Sequence, residues 1–143
     1  MAAPKPAPLR LLAQDADDLA VISAALQDAV CQVGDIEFEP KARRLTVAFN
    51  RYRWEAGGAQ RVRSALQLGG VLGVQTRKIR RAAKDAVLEI LAMTFEPGDA
   101  PGGVVTLSCA GGGDLRAEVE CVEAVLADVS RPWPTPRKPA HEA

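Results

Sequence analysis

Residues 103–129, with the sequence GVVTLSCAGGGDLRAEVECVEAVLADV, constrain the fold more than any other stretch of the chain. Apolar and polar residues alternate on both sides of three consecutive glycines, which is the period of a β-strand with one solvated face. Glycine adopts the positive φ angles of a tight hairpin without steric cost. A phosphate-binding glycine loop would instead need a helix directly after it and usually a lysine, and neither follows here. The stretch therefore predicts a β-hairpin that turns at Gly111, Gly112 and Gly113.

The residues after this hairpin change period. Four apolar residues fall at i, i+3, i+4 and i+7, the spacing of one helix face: Val122, Val125, Leu126 and Val129. Glu120 and Glu123 stand in the first turn, where the helix dipole favours negative charge, and Pro132 would end the helix. We therefore predict a C-terminal helix that begins near Val119 and covers the sheet.

The rest of the chain reads as an N-terminal helix followed by short strands. Asp15 is a good N-cap residue, and the apolar stripe after it predicts a helix that ends near Cys31. Alternating or strongly apolar runs predict strands at 36–39, 45–54, 62–68, 71–76, 87–95, 104–109 and 115–119. Gly69 and Gly70 separate two of these strands, either as a two-residue turn or as a kink in one long strand.

This order of elements predicts an α+β fold that is mainly antiparallel β. We expect a pleckstrin-homology-like roll of about seven strands, with an N-terminal helix and a capping C-terminal helix, because that many strands rarely stay flat. The alternative is an open antiparallel sheet with two helices on one face. Helices and strands do not alternate repeatedly, so nothing suggests a parallel sheet.

A length of 143 residues predicts one domain with its own core. We expect a flexible N-terminal lead over residues 1–9, a globular domain over 10–131 and a Pro-rich flexible tail over 132–143. No apolar run approaches the ~20 residues of a membrane span, and the N-terminus lacks the apolar region of a signal peptide. Three cysteines without an export signal then predict reduced thiols and a cytoplasmic protein.

The net charge of zero hides an uneven distribution. Residues 41–84 hold twelve Lys or Arg and one acidic residue, which gives this segment a charge of +11. Residues 1–40 carry −5 and residues 85–143 carry −6. Such segregation of charge is the clearest functional signal in the composition, because it points to an anionic partner.

Within this basic middle, we predict a face that binds an anion or a partner, formed by Arg51, Arg53, Trp54, Arg61, Arg63, Arg77 and Lys78. On a strand, Arg51 and Arg53 share one face, and exposed guanidinium groups grip carboxylate or phosphate bidentately. Arg80 and Arg81 would extend the face. The alternative is that the acidic flanks pair with these cations inside the molecule and that Trp54 is a core or rim aromatic.

The groups that most enzymes need are missing or badly placed. The only histidine is His141, near the end of the Pro-rich tail, which argues against Ser–His and Cys–His catalysis. Three scattered cysteines without a placed histidine do not make a zinc site. The acidic pair Asp17 and Asp18 starts a helix and reads as solvated charge. We therefore expect a non-enzymatic protein with no cofactor and no metal.

The chain contains the five segments DDLAVISAALQDAV (17–30), VGDIEFEPKARR (33–44), NRYRWE (50–55), AGGG (110–113) and VECVEAVLAD (119–128). Taken in order, they resemble an uncharacterised bacterial family, a domain of unknown function of about this length. The resemblance runs from residue 9 to residue 133, and it departs at Gly69 and Gly70, where the family tends to have bulkier polar residues. It implies no activity. The family's genes often lie near histidine-biosynthesis genes, which implies a housekeeping context.

These observations favour a small cytosolic interaction module that uses a barrel edge and its basic face to bind an acidic protein partner or a second copy of itself. The alternative is binding of RNA or another polyanion through the same face, because summed positive charge attracts phosphate. Aromatic residues make up 4% of the chain. Single-strand nucleic-acid binders usually expose more of them, so the protein partner is favoured.

Overall fold

The computed structural model describes residues 8–56 and 59–136, and it shows antiparallel strands and one α-helix around a single core. The helix, α1, spans Ala16–Ala25. The eleven strands in this part of the chain are β1 (Arg10–Ala13), β2 (Val30–Gln32), β3 (Ile36–Glu39), β4 (Arg44–Tyr52), β5 (Gln60–Leu68), β6 (Val71–Arg77), β7 (Val87–Pro97), β8 (Gly103–Cys109), β9 (Asp114–Val119), β10 (Ala124–Asp128) and β11 (Trp133–Pro134). The prediction of an α+β fold that is mainly antiparallel β is confirmed.

The N-terminal helix begins where the sequence predicts. The side chain of Asp15 accepts a hydrogen bond from the Asp18 backbone N–H at 2.8 Å and so caps α1. Leu19 and Ile22 are buried and attach the helix to the core. The helix ends at Ala25, earlier than predicted, because Asp28 takes a positive φ of 63° and Val30 and Cys31 pair in strand β2.

Nine strands hydrogen-bond in the order β1-β10-β5-β4-β2-β7-β8-β9-β6, with β11 added to β5 and β3 added to β4. The three-residue strand β2 joins the two halves of this arrangement, because Val30 pairs with Asn50 of β4 and with Glu89 of β7. Both halves and α1 contribute side chains to the same apolar cluster. The described part of the chain is therefore organised around one core.

The hairpin predicted from the three glycines is confirmed. Strands β8 and β9 pair in antiparallel register, from Gly103 opposite Val119 to Ser108 opposite Asp114. Gly111 and Gly112 take φ angles of +89° and +92°, which other residues rarely adopt. The strands predicted at residues 36–39 and 45–54 also form the expected hairpin, β3 with β4.

The predicted C-terminal helix is wrong. Residues 124–128 form strand β10, which lies between β1 and β5, and no second α-helix occurs in residues 8–56 and 59–136. The helical spacing required Val129 to be inside, but this side chain is 60% exposed. Val122, Ala124 and Leu126 are the buried residues instead, and they have the period of a strand. Val125, on the other face of β10, is also apolar and is half-buried, so the strand has apolar residues on both faces and imitates a helical stripe.

Gly69 and Gly70 form neither a two-residue hairpin turn nor a kink in one long strand, so both alternatives are wrong. Strand β5 pairs with β4, β10 and β11, whereas β6 pairs with β9, so the chain crosses between the two halves of the sheet at these glycines. Gly70 has a φ angle of +64°. The crossing is held by backbone hydrogen bonds from Gly69 to the Glu123 carbonyl oxygen at 2.9 Å and from Val71 to the Arg43 carbonyl oxygen at 2.8 Å.

Only part of the two predicted terminal segments lies within the described residues. Of the predicted Pro-rich tail, Trp133–Pro134 pairs with Arg61 and Gln60 of β5. The rest of that tail beyond residue 136, and most of the predicted N-terminal lead, fall outside the described residues. In the part of the chain that the structure describes, no helix has the length and apolar character needed to cross a membrane.

Replacing Gly70 by alanine should destabilise the fold by about 1–2 kcal/mol, because alanine must then adopt a left-handed backbone conformation. Gly73→Ala is the matched control, since a Cβ there would meet nothing within 4 Å and the backbone is not left-handed. The free energy of unfolding in urea measures both effects. Equal stability of the two variants would contradict the role given to the crossing.

Candidate functional site

The seven predicted site residues do not form one exposed face. Arg51 and Arg53 are buried, with 0% and 4% of their surface exposed. Trp54, Arg61 and Arg63 are half-buried, and Arg77 and Lys78 are exposed. The chemistry available to each residue therefore depends on its own contacts, which fall into an interior set and a surface set.

Arg51 on β4 holds two carboxylates at once. Its Nε and Nη2 atoms each donate to Asp128 at 3.0 Å, and its Nη1 and Nη2 atoms donate to Glu55 at 3.0 and 2.7 Å. Burial alone would lower the pKa of Arg51, but the hydrogen bond to Glu55 and the charge of Asp128 outweigh it and raise the pKa. Arg51 therefore stays charged inside the protein.

The remaining contacts of this cluster leave Arg51 no free donor. Nε also reaches the hydroxyl of Ser64 on β5 at 3.0 Å, and Nη1 reaches the Tyr52 carbonyl oxygen at 3.4 Å. Asp128 in turn accepts from Ser64 at 2.7 Å and from the Leu9 backbone N–H at 2.8 Å. All five guanidinium N–H groups are thus directed at acceptors within the protein. Arg51 is a structural residue and cannot bind an external anion in this arrangement.

The loop after β4 accounts for Arg53 and Trp54. The Arg53 side chain donates to Gln60 Oε1, and its backbone N–H donates to the Gln60 carbonyl oxygen at 2.9 Å. Trp54 Nε1 donates to the Gln27 carbonyl oxygen at 3.2 Å, and its ring meets Tyr52 edge-on at 4.6 Å between centroids. These residues fasten the loop to the segment after α1.

Three more of the predicted arginines are paired with described residues. Arg63 donates to Asp35 at 2.7 Å and to Asn50 Oδ1 at 3.0 Å. Arg61 donates to the Asn50 carbonyl oxygen at 3.2 Å. Arg77 donates to Asp114 at 2.6 Å, and this hydrogen bond lowers the pKa of Asp114 below its ordinary value. The acidic flanks therefore neutralise much of the basic middle, which is the alternative that the sequence left open.

Apart from the isolated Lys41, the exposed cations of the basic middle that lack an ion pair within the described residues form one group. Lys78, Arg80 and Lys84 are exposed and form no ion pair with any residue in 8–56 or 59–136. Arg81 is exposed as well, and its guanidinium reaches only the Val74 carbonyl oxygen, at 3.4 Å. We call residues 78–84 the cationic segment. It is the connection that leaves β6, and it contains four cations and no acidic residue.

The cationic segment borders a groove between β3 and β6, which we call the β3–β6 groove. Its volume is about 190 Å³. Its lining residues are Val33, Ile36, Phe38, Val74, Thr76, Ile79, Arg81, Lys84 and Leu115. Six of these nine residues have apolar side chains, and the two cations among them belong to the cationic segment. A ligand with an apolar side chain next to a negative charge would match this composition.

A second, larger cleft of about 650 Å³ lies over β6, β8 and β9. Its charged lining residues are Asp99, Arg116, Glu118 and Glu120. Glu120 is also in an ion pair with Arg43. Three of these four residues are acidic, so this cleft does not suit the anionic ligand that the basic middle was predicted to bind. Among residues 8–56 and 59–136, no three His, Cys, Asp or Glu side chains are grouped so as to hold a metal.

The sequence found only part of the cationic segment. Lys78 was among the predicted site residues, Arg80 and Arg81 appeared only as extensions, and Lys84 was missed. A local signal existed, because KIRRAAK at 78–84 has four cations in seven residues. Which of the twelve basic residues are neutralised is not visible in the sequence, because most of their acidic partners are distant in sequence.

Comparison with known proteins adds the family but no chemistry. The sequence model of a family described as "Protein of unknown function (DUF2948)" matches residues 9–141. The chain belongs to this family. The match confirms the resemblance seen in the sequence to an uncharacterised family over almost the whole chain. No curated protein and no solved structure matches this family member.

Replacing Asp128 by asparagine should lower the free energy of unfolding by about 3 kcal/mol, because it leaves the buried Arg51 with one carboxylate instead of two. Glu55→Gln is the control, and it should cost less because the Glu55 side chain is 34% exposed. Urea unfolding of the two variants at neutral pH compares them. A smaller loss for Asp128→Asn than for Glu55→Gln would show that Asp128 is not the main partner.

Acid should destabilise the protein through the same cluster. The hydrogen bond from Arg51 lowers the pKa of Glu55 below its ordinary value. A lowered pKa in the folded state stabilises the fold above the unfolded pKa, about 4.3, and this stabilisation is lost as the pH falls through the folded pKa. The urea midpoint should therefore drop below pH ~4. The urea midpoint of Glu55→Gln should drop less steeply over the same pH range. If the variant and the unmodified protein have the same pH profile, Glu55 is excluded as a contributor.

Proposed function

We propose that this protein is a small, non-enzymatic, cytosolic interaction module that binds an acidic segment of a partner protein at the cationic segment. The observation that supports it most is the absence of ion pairs at these cations within the described residues. Lys78, Arg80, Arg81 and Lys84 stay free of ion pairs in the described chain, whereas most of the other arginines in the basic middle are neutralised. A charge that the fold does not consume is available to a partner.

The proposed binding face shares only part of its residues with the face predicted from the sequence. Of the seven residues predicted from the sequence, Lys78 belongs to the cationic segment and Arg77 lies beside it on β6. The guanidinium of Arg77 donates to Asp114, so Lys78 is the one predicted site residue that we assign to the proposed binding face. In this proposal, the other five predicted residues stabilise the scaffold: Arg51, Arg53, Trp54, Arg61 and Arg63.

Three features support the remaining parts of the proposal. The cysteines are free thiols, as expected in a reducing compartment, and Cys31 and Cys109 are buried. Burial raises the pKa of the Cys31 thiol to about 12, which makes it unsuitable as a nucleophile.

We also propose that the strands form a roll of the pleckstrin-homology type without its C-terminal helix. The core that both halves of the sheet share supports this arrangement.

The apolar walls of the β3–β6 groove favour an acidic protein segment over RNA. Ile36, Phe38 and Val74 offer contacts to aliphatic side chains. Stacking of bases needs exposed aromatic rings, and Trp54, the one aromatic among the predicted site residues, is tied to Gln27 and Tyr52. The experiment must therefore distinguish binding of an acidic protein segment from binding of RNA through the same cations.

The test compares a short polyglutamate peptide with a single-stranded RNA oligonucleotide of equal charge, by fluorescence anisotropy at about 50 and 200 mM salt. We expect Arg80→Glu/Arg81→Glu to bind polyglutamate about tenfold more weakly than the unmodified protein. The control is Arg10→Glu/Arg131→Glu, which makes the same change of charge at exposed residues away from the groove. This control should retain binding.

The outcomes separate the alternatives. Equal loss in both double variants would mean that net charge alone attracts the peptide, and the cationic segment would not be a site. Tighter binding of the RNA, lost in Arg80→Glu/Arg81→Glu, would replace the acidic partner by a nucleic acid. Absence of binding to either probe at about 50 mM salt would remove the proposal.

A further inference from the structure

The β3–β6 groove lies between two strands that each lack a neighbour on one side. In the described chain, β6 hydrogen-bonds only to β9, and β3 hydrogen-bonds only to β4. The unpaired side of a strand presents backbone N–H and C=O groups to whatever lies beside it. The groove is therefore bordered by backbone groups as well as by apolar side chains.

One of these backbone groups carries a replaceable partner. The Val74 carbonyl oxygen on β6 accepts from Arg81 Nη2 at 3.4 Å, which is longer than an ordinary N–H···O bond of about 2.9–3.0 Å. An incoming backbone N–H can form a shorter bond to the same oxygen. Arg81 would then be released at the rim of the groove, where it can meet a carboxylate. The exchange replaces one weak contact by a backbone bond and an ion pair.

The size of the groove argues for a peptide side chain and against a whole small molecule. Pockets for small molecules have volumes of about 300–1,000 Å³. The β3–β6 groove has about 190 Å³, and six of its nine lining residues have apolar side chains. An extended peptide sends alternate side chains to opposite faces, so it can place apolar residues in the groove and keep acidic residues outside.

The two bordering strands differ as partners. The start of β6 lies at the turn after β3, because the Val71 N–H donates to the Arg43 carbonyl oxygen. At the other end, the N–H groups of Val33 and Gly34, which precede β3, donate to carbonyl oxygens of Ala86 and Lys84 in the connection that follows β6. β3 and β6 therefore run in opposite directions. An added strand can be antiparallel to only one of them, and β6, with seven residues, is the longer edge.

We propose that the acidic partner segment binds as an extra antiparallel β-strand on the free edge of β6, with its apolar side chains in the β3–β6 groove and its acidic side chains against Arg81 and Lys84. This inference rests on the proposed function and specifies how the partner is held. Backbone hydrogen bonds supply affinity, and the groove and the cations select alternating apolar and acidic residues.

The experiment uses the full chain and a peptide of alternating Glu and Val that matches the seven residues of β6. Two further peptides have the same sequence, with N-methyl groups on all the Val amides or on all the Glu amides. Each blocks the hydrogen bonds along one edge of the bound strand, because successive N–H groups point to opposite edges. We expect one of the two methylated peptides to bind about tenfold more weakly than the unmethylated peptide.

A polyglutamate peptide of the same length separates failure of this inference from failure of the proposed function. If polyglutamate and all three alternating peptides bind equally, the acidic partner stands and strand addition is overturned. If none of them binds, the proposed function fails first. Protection of β6 amides from hydrogen exchange on adding the unmethylated peptide is the second expected result, and unchanged exchange would contradict the inference.

A second copy of the chain is the competing occupant. It would appear as a dimer in sedimentation at concentrations where the peptide binds, and the peptide would dissociate that dimer. Such a result would overturn the acidic segment as the occupant of the groove. A monomer whose peptide binding is weakened in Arg81→Ala, and retained in Arg10→Ala, would support it.

Discussion

The ion cluster around Arg51 is the constraint on which the rest of the structure depends. A buried guanidinium must find acceptors for its donors, and the two carboxylates that supply most of them come from different parts of the chain, Glu55 four residues away and Asp128 near the end. Asp128 also binds Ser64 and the Leu9 N–H, so the same carboxylate ties β4, β5, β10 and the start of β1 together. The buried charge thus fixes where the last long strand must lie.

This requirement explains which parts of the fold can be predicted from the sequence. The β8–β9 hairpin, the β3–β4 hairpin and the Asp15 cap depend on residues that are close in sequence, and their patterns predict them directly. β10 could not be predicted in this way. Its apolar residues satisfy a helical and a strand period equally, and the decision lies with Arg51, 77 residues away from Asp128. Strand order is inaccessible for the same reason.

The candidate site shows the same division between local and distant information. Counting charges along the chain correctly finds a basic middle and acidic flanks, but a count does not say which charges meet. Folding pairs Arg63 with Asp35 and Arg77 with Asp114, and it leaves the cationic segment without such partners. The carboxylates of Asp35 and Glu39, which flank the groove-lining residues of β3, pair with Arg63 and Arg44 instead, so the charge of the segment survives. In this protein, the surface available for binding is what remains after internal neutralisation.

The two ends of the β3–β6 groove have a consequence for solubility. At one end Val71 is tied to Arg43, and at the other the N–H groups of Val33 and Gly34 donate to the carbonyl oxygens of Ala86 and Lys84, each at 2.9 Å. An open sheet edge usually allows unlimited stacking of further strands, which leads to aggregates. A notch closed at both ends admits one short segment and then presents no fresh edge. The fold can thus keep a free strand edge at its surface without seeding fibres.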